Sequence, residues 1–243
     1  MRNLKRTLSL ALASVMLVGM MSVGASAVNA SDFTDADEIV NKDAVSTMTA
    51  LGIINGKEDG SYFDPTGNVT RAEMAKMLCV AINGGVDPVL GVKDTPTFTD
   101  IKGTWAESYI EYCAANGIIA GRGNNKFDPT GTVSATEAAK MLLGVLGYSA
   151  EKSGLVGNDW AINTNVLANQ NGLYKKLANL NANTMLTRDN AAQMIYNALD
   201  ANMVELNAAG NYTTSQYSYT GTESVVTGTE RVWVVKIKDS SVN

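Results

Sequence analysis

Apolar positions between residues 37 and 200 fall into two kinds of helical stripe that recur along the chain. Ile39, Val40, Ala44, Met48 and Leu51 are helically spaced and predict a helix over 37–51, stopped by Gly52. Met74, Met77, Leu78, Ala81 and Ile82 follow an i, i+3, i+4, i+7, i+8 pattern and predict a second helix with one buried face. Its start is marked by Thr70 and, three residues on, Glu73, a capping-box pair that satisfies free N–H groups of the first turn. Both stripes return. Tyr109, Ile110, Cys113 and Ala114 predict a helix from about Trp105 to Asn116 with Gly117 as a left-handed cap, and Ala138, Met141, Leu142, Val145 and Leu146 predict another behind the Ser134–Glu137 box. A third pass keeps Ala191, Met194, Ile195, Ala198 and Leu199 behind Thr187, with Asn190 where the acid stood.

Identities between the passes make this an internal repeat. Phe33-Thr34-Asp35 returns as Phe98-Thr99-Asp100, Gly52-Ile53-Ile54-Asn55-Gly56 as Gly117-Ile118-Ile119-Ala120-Gly121, and Phe63-Asp64-Pro65-Thr66-Gly67 as Phe127-Asp128-Pro129-Thr130-Gly131, at a steady offset of 64–65 residues. The third copy keeps Asn171-Gly172-Leu173 and Thr187-Arg188-Asp189-Asn190 but has lost the Phe-Asp-Pro-Thr-Gly turn. A unit this small cannot bury its own core, so the three copies should share one centre. The expected fold is mainly α, a pseudo-threefold helical domain with a short β-rich C-terminal segment. Its divisions are repeat 1 at 31–83, a linker at 84–97, repeat 2 at 98–148, a degenerate repeat 3 at 149–200, and a β-rich tail, or the start of a further domain, at 201–243. In that tail Arg231 to Lys238 alternates like a strand, and standing alone it would offer an exposed edge for pairing.

The N-terminus changes the picture of compartment. Arg2, Lys5 and Arg6 precede a charge-free, Leu/Ala/Val/Met-rich stretch from Thr7 to Ser31, and Ala25-Ser26-Ala27 fits the small-x-small cleavage rule, so residues 1–30 read as a signal peptide of a secreted protein. The net charge is −5 over the whole chain and more negative without those three cations, which excludes nucleic acid as a partner. Cys79 and Cys113 replace apolar residues of the other copies and read as buried free thiols, although an exported chain leaves a bridge open. With no histidine anywhere, Ser-His-Asp, Cys-His and His-ligated zinc chemistry are removed together. A carboxylate-pair glycosidase needs a framing cleft that no segment suggests, so no enzyme and no cofactor is expected. The Asn55–Thr66 loop fails as a calcium site, with Lys57 and Thr66 where ligands belong.

Arg71 and Arg188 hold the first helical position, where the helix dipole disfavours a cation by about 0.3–1 kcal/mol. Free N–H groups converging there with a guanidinium would suit a carboxylate or phosphate, while the alternative is a solvated arginine neutralised by Glu73.

The unit resembles the S-layer homology repeat, whose marks are an aromatic-Thr-Asp opening, a Gly-Ile-Ile-x-Gly helix end, a Phe-x-Pro turn and a Thr-Arg-Ala-Glu helix start, the last unaltered at Thr70-Arg71-Ala72-Glu73. The resemblance implies a three-pronged arrangement whose grooves hold an anionic secondary cell wall polysaccharide, often through a pyruvate-ketal sugar, and a non-catalytic anchor at the bacterial wall or S-layer surface. Carried over residue by residue, it implies Arg71, Arg188 and Glu73 as charged contacts, Trp105 and Trp160 as sugar-stacking aromatics, Asp35 and Asp100 as sugar hydrogen-bonders, and Gly56 and Gly121 as close-approach backbone. Copy two has Ala135 in place of the arginine, so a groove relying on that position should be weak. The competing expectation is a structural surface-lattice protein that self-associates through its C-terminal β segment.

Overall fold

The structure, a computed structural model, describes residues 28–177, 180–181 and 183–213 in full, with the backbone of 214, 217–227 and 230–239. The expected signal peptide lies almost wholly outside the described residues. Six α-helices follow one another among them: α1 Lys42–Ala50, α2 Arg71–Ile82, α3 Glu107–Ala115, α4 Ala135–Val145, α5 Trp160–Gln170 and α6 Arg188–Leu199. The fold is mainly helical, as the stripes predict.

Three extended segments that feed α2, α4 and α6 meet at the centre and close a ring of backbone hydrogen bonds. Val69 N–H donates to Leu186 O at 2.8 Å, Leu186 N–H to Val133 O at 2.9 Å, and Val133 N–H to Val69 O at 3.0 Å. All three side chains are fully buried. Because every link joins a different pair of segments, no one segment can complete the centre alone. Each helix leaving the ring then packs on the first helix of the next segment, α2 on α3, α4 on α5 and α6 on α1, so the pattern closes on itself.

The helix ends repeat for a physical reason. Gly52, Gly117 and Gly172 all sit at φ +70°, the left-handed conformation that glycine adopts at least cost. The next N–H in each case reaches back five residues to a helix carbonyl, as Ile118 N does to Cys113 O at 2.9 Å. This turns Ile53, Ile118 and Leu173 into the core.

The first predicted helix is shorter than its stripe. A 3-10 turn, Ala36–Glu38, and an extended Ile39 precede α1, so Ile39 is buried while Val40 points outward at 83% exposure. The periodicity had counted both on one helical face.

Beyond α6, β1 Val204–Leu206 pairs antiparallel with β2 Tyr212–Thr214, and β3 Tyr217–Thr227 pairs with β4 Glu230–Asp239. The first hairpin is docked: Val204 N–H donates to Leu146 O at 2.8 Å, and the Tyr212 hydroxyl lies 2.7 Å from Ser153 Oγ. The expected strand over 231–238 is therefore present, paired within a hairpin. Among the described residues no helix is long and apolar enough to cross a membrane.

Candidate functional site

The turns Phe63–Gly67 and Phe127–Gly131 are built before anything can bind near them. Asp64 and Asp128 stand at φ +60° and +63°, a costly region for an L residue. Asp35 holds the first turn by accepting Phe63 N–H at 2.9 Å and Asp64 N–H at 2.7 Å, and Asp100 does the same for Phe127 and Asp128 at 2.9 and 2.8 Å. Burial raises the Asp100 pKa, but these two N–H donors outweigh it and leave the carboxyl below its ordinary value. Asp35 stands at the start of the 3-10 turn Ala36–Glu38 without capping it through its side chain, and the carboxylates of Asp35 and Asp100 are each engaged by the turn across their own repeat.

Gly56 and Gly121 are close-approach positions towards the chain itself. A Cβ on Gly56 would stand 2.2 Å from Gly60 O, and one on Gly121 would stand 2.6 Å from Lys126 O. The loops can close only because both side chains are absent.

Each turn then receives an arginine from the neighbouring segment. Arg71 reaches from α2 into repeat 2, donating Nε–H to Phe127 O at 2.8 Å, one terminal nitrogen to Ala120 O at 2.7 Å and the other to Glu137 at 3.2 Å, with its guanidinium 4.4 Å from the Phe127 ring centroid. Arg188 reaches from α6 into repeat 1 in the same way, to Phe63 O at 2.7 Å and Asn55 O at 2.8 Å, over the Phe63 ring. Both are buried, at 2% and 5% exposure. Burial lowers both pKa values, partly offset by Glu137 for Arg71 and Glu73 for Arg188.

The helix-start N–H groups, expected to be free for an anion, are already used. Arg71 N–H donates to Gly131 O at 2.9 Å and Ala72 N–H to Pro129 O at 3.0 Å, while Arg188 and Asp189 donate likewise to Gly67 O and Pro65 O. Thr70 Oγ1 accepts Glu73 N–H at 3.2 Å and completes the box. Glu73 Oε2 answers by accepting Thr70 N–H at 2.7 Å. The neighbour's turn carbonyls thus supply what the dipole argument left to a ligand. Nor is either arginine solvated, as the alternative had it.

Two equivalent inter-segment positions face solvent. The first is a cleft of about 170 Å³ lined by Ile53, Asn55, Glu73, Lys76, Trp105 and Arg188 among others. It brings Arg188, Glu73 and Trp105 together, with Trp105 just ahead of α3 and 59% exposed. The second position, related by the repeat offset, brings together Arg71, Glu137, Lys140 and Trp160, with Lys140 Nζ 5.2 Å from the Trp160 ring centroid.

Lys76 and Lys140 are the residues that sequence reasoning missed. Their spacing three residues after Glu73 and Glu137 was visible in both copies, but a lysine on a helix reads as a solvated face. Lys76 is paired with Asp87 at 3.0 Å and sits 5.5 Å from the Tyr109 ring centroid; burial lowers its pKa, and the Asp87 contacts raise it by more. Lys140 differs. Burial lowers its pKa, Glu151 offsets part of that, and nearby Arg71 adds a smaller lowering. Among the described residues no carboxylate lies within ion-pair distance of Lys140. Arg122 has meanwhile neutralised Glu137, with three contacts of 2.8–3.0 Å to its carboxylate.

The third inter-segment position has none of this chemistry. Ala135 stands for the arginine, Asn190 for the acid, Gln193 for the lysine and Val40 for the tryptophan. Gln193 is buried and bonded to Asn197, while Asp189 accepts Asn41 N–H at 3.0 Å and Asn41 Nδ2–H at 2.7 Å. A further cleft of about 260 Å³ beneath the first tail hairpin is lined by uncharged residues, Tyr148, Asn163, Gln170 and Tyr212 among them.

A helical ring of packed segments, with a cation and an exposed or half-exposed tryptophan at two of its inter-segment positions, defines a repeat-built helical domain. Residues 32–75 and 97–139 match the S-layer homology domain. The chain carries two S-layer homology segments. It is 30% identical over 113 residues to an S-layer protein of Bacillus licheniformis, covering 46% of this chain and 12% of that protein. A cell surface protein of Thermoanaerobacter kivui is 28% identical over 207 residues, 84% of this chain and 26% of its own length. Exoglucanase XynX of Acetivibrio thermocellus is 28% identical over 156 residues, 60% of this chain and 14% of the exoglucanase. The chain therefore spans between 12% and 26% of these relatives.

Proposed function

We propose that the chain is a non-catalytic wall-anchoring module whose two charged grooves hold a carboxylate-bearing sugar of an anionic secondary cell wall polysaccharide. The observation that carries this reading is the recurrence of lysine, arginine and tryptophan at equivalent places in two grooves and their joint absence from the third. In an acidic chain, an anionic ligand needs placed cations. Lys76 and Lys140 make the direct charge contact, while Arg71 and Arg188 hold the groove floor and add positive potential from behind. Trp105 and Trp160 offer faces for a sugar ring. The second groove is the stronger one, because Lys140 has no carboxylate to give up on binding.

The third segment acts in this reading as a degenerate S-layer homology repeat that closes the ring. Names of relatives fit a shared anchoring segment: S-layer protein, cell surface protein and exoglucanase each match over a small share of their length.

The test is a pull-down of purified protein with bacterial wall sacculi, before and after the secondary polysaccharide is stripped, with Lys140→Gln and Trp160→Ala alongside. The reading expects binding that disappears on stripping, and a loss of about tenfold in Lys140→Gln from one charge-assisted hydrogen bond. Equal recovery in the supernatant throughout would reject it, and assembly without polysaccharide would favour the lattice alternative through the β3–β4 hairpin.

A further inference from the structure

The chain has two cysteines, and the fold makes them neighbours. Cys79 lies on α2 of repeat 1 and Cys113 on α3 of repeat 2, 34 residues apart in sequence, yet their sulfurs are 3.4 Å apart with both side chains buried. Their other polar contacts are long, from Cys79 to Tyr109 O at 3.6 Å and from Cys113 to Ala75 O at 3.7 Å. We infer that Cys79 and Cys113 form a disulfide in the secreted protein, stapling repeat 1 to repeat 2 across the α2–α3 contact.

Nothing about this position requires thiols. The equivalent places in the α4–α5 contact are Leu143 and Ala168, and in the α6–α1 contact Tyr196 and Met48, so ordinary apolar pairs build the same interface. Only this contact places two sulfurs face to face, in a protein of the compartment where disulfides persist. Bonding requires the sulfurs to close to about 2.05 Å, a shift on the order of 1 Å shared between two side chains.

The reaction is exchange with a low-molecular-weight disulfide. One cysteine thiolate attacks a sulfur of that disulfide and expels the first small thiol, leaving a mixed disulfide; the second thiolate then attacks the protein sulfur and expels the second. Both protein thiol protons end on the released thiols, and the small disulfide is reduced as the protein pair is oxidised. The hydrogen bond with Cys79, together with burial, raises the Cys113 pKa well above normal and so starves the folded state of thiolate. The step therefore belongs to folding, before α2 and α3 close, and the finished bond is shielded from reduction. Its mechanical effect falls on the first groove, whose lining includes Asp87, which accepts the Tyr109 hydroxyl at 2.7 Å. The inference stands whether or not that groove binds a glycan.

The experiment refolds the purified protein in mixed reduced and oxidised glutathione, quenches in acid, alkylates under denaturing conditions and weighs the product. The expected result is an unalkylated chain two hydrogens lighter than the reduced one, a proteolytic fragment joining Cys79 to Cys113, and an unfolding midpoint raised by about 5 °C or more. That redox difference should vanish in Cys79→Leu/Cys113→Ala, which installs the pair the fold already uses at 143 and 168. Two alkylated thiols in the refolded wild type, glutathione left on either cysteine, or an oxidised protein melting at or below the reduced one would each overturn the inference. The alkylation result decides the matter even if the double variant folds poorly.

Discussion

At the residue scale, Arg71 is the instructive case, because its sequence position suggested a ligand contact and the structure gives it a structural occupation. Placing a cation at a helix N-terminus is unfavourable, yet three acceptors surround this one: two buried carbonyls and the Glu137 carboxylate. Arg71→Ala would leave Phe127 O and Ala120 O unpaired and should cost about 3 kcal/mol, read as a lower urea midpoint with an unchanged slope. Arg71→Lys should recover little, since one ammonium cannot reproduce the planar fork. A loss of wall binding in either variant is then a folding effect first. Lys140→Gln changes a half-buried charge with no carboxylate partner to orphan, so its unfolding free energy should stay within about 0.5 kcal/mol of wild type while binding falls.

At the element scale, the helix ends separate conformation from packing. Gly52 and Gly117 share φ +70°, so alanine at either pays the left-handed cost of about 1 kcal/mol. A Cβ on Gly117 meets nothing within 4 Å, whereas one on Gly52 would stand 2.7 Å from Gly85 O in the linker. Gly52→Ala should therefore be the more destabilising of the two by thermal melting; equal losses would mean that the linker yields freely. These caps, the capping boxes and the buried faces of α2, α4 and α6 were legible in sequence because each is a local rule with a fixed spacing. Val40 was not, since a 3-10 turn before α1 breaks the phase that the stripe assumed. The partners of Asp35, Asp100 and the two arginines were illegible for a different reason. They depend on which repeat's turn meets which repeat's helix, and repetition alone does not order the copies in space.

At the scale of the whole molecule, cyclic closure means that no segment is dispensable. Ending the chain after residue 148 would remove Leu186 from the central ring, Arg188 from the Phe63 turn and the α6 face from α1. Such a fragment should lose cooperative unfolding in calorimetry, although both segments that match the S-layer homology domain would still be present. Acid should weaken the intact ring along a predictable course. The hydrogen bond from Lys57 lowers the Asp64 pKa, and Asp100 and Glu111 lie below their ordinary values because hydrogen bonds outweigh the upward push of burial, from turn N–H groups for Asp100 and from Lys93 and Thr97 for Glu111. A depressed carboxyl contributes its full stability above its unfolded value, 3.8 for Asp and 4.5 for Glu, and loses it as pH falls through the folded value. Asp189 runs the other way, raised mainly by burial, and offsets only part of the loss. The urea midpoint should therefore fall steeply from about pH 4 downwards. Asp100→Asn should be weaker than wild type at neutral pH but should lose less on acidification, because its amide has one oxygen to offer the two turn N–H groups at any pH. Parallel wild-type and Asp100→Asn curves across that range would show that the Asp100 carboxylate, and with it the turn that receives Arg71, carries none of the acid sensitivity.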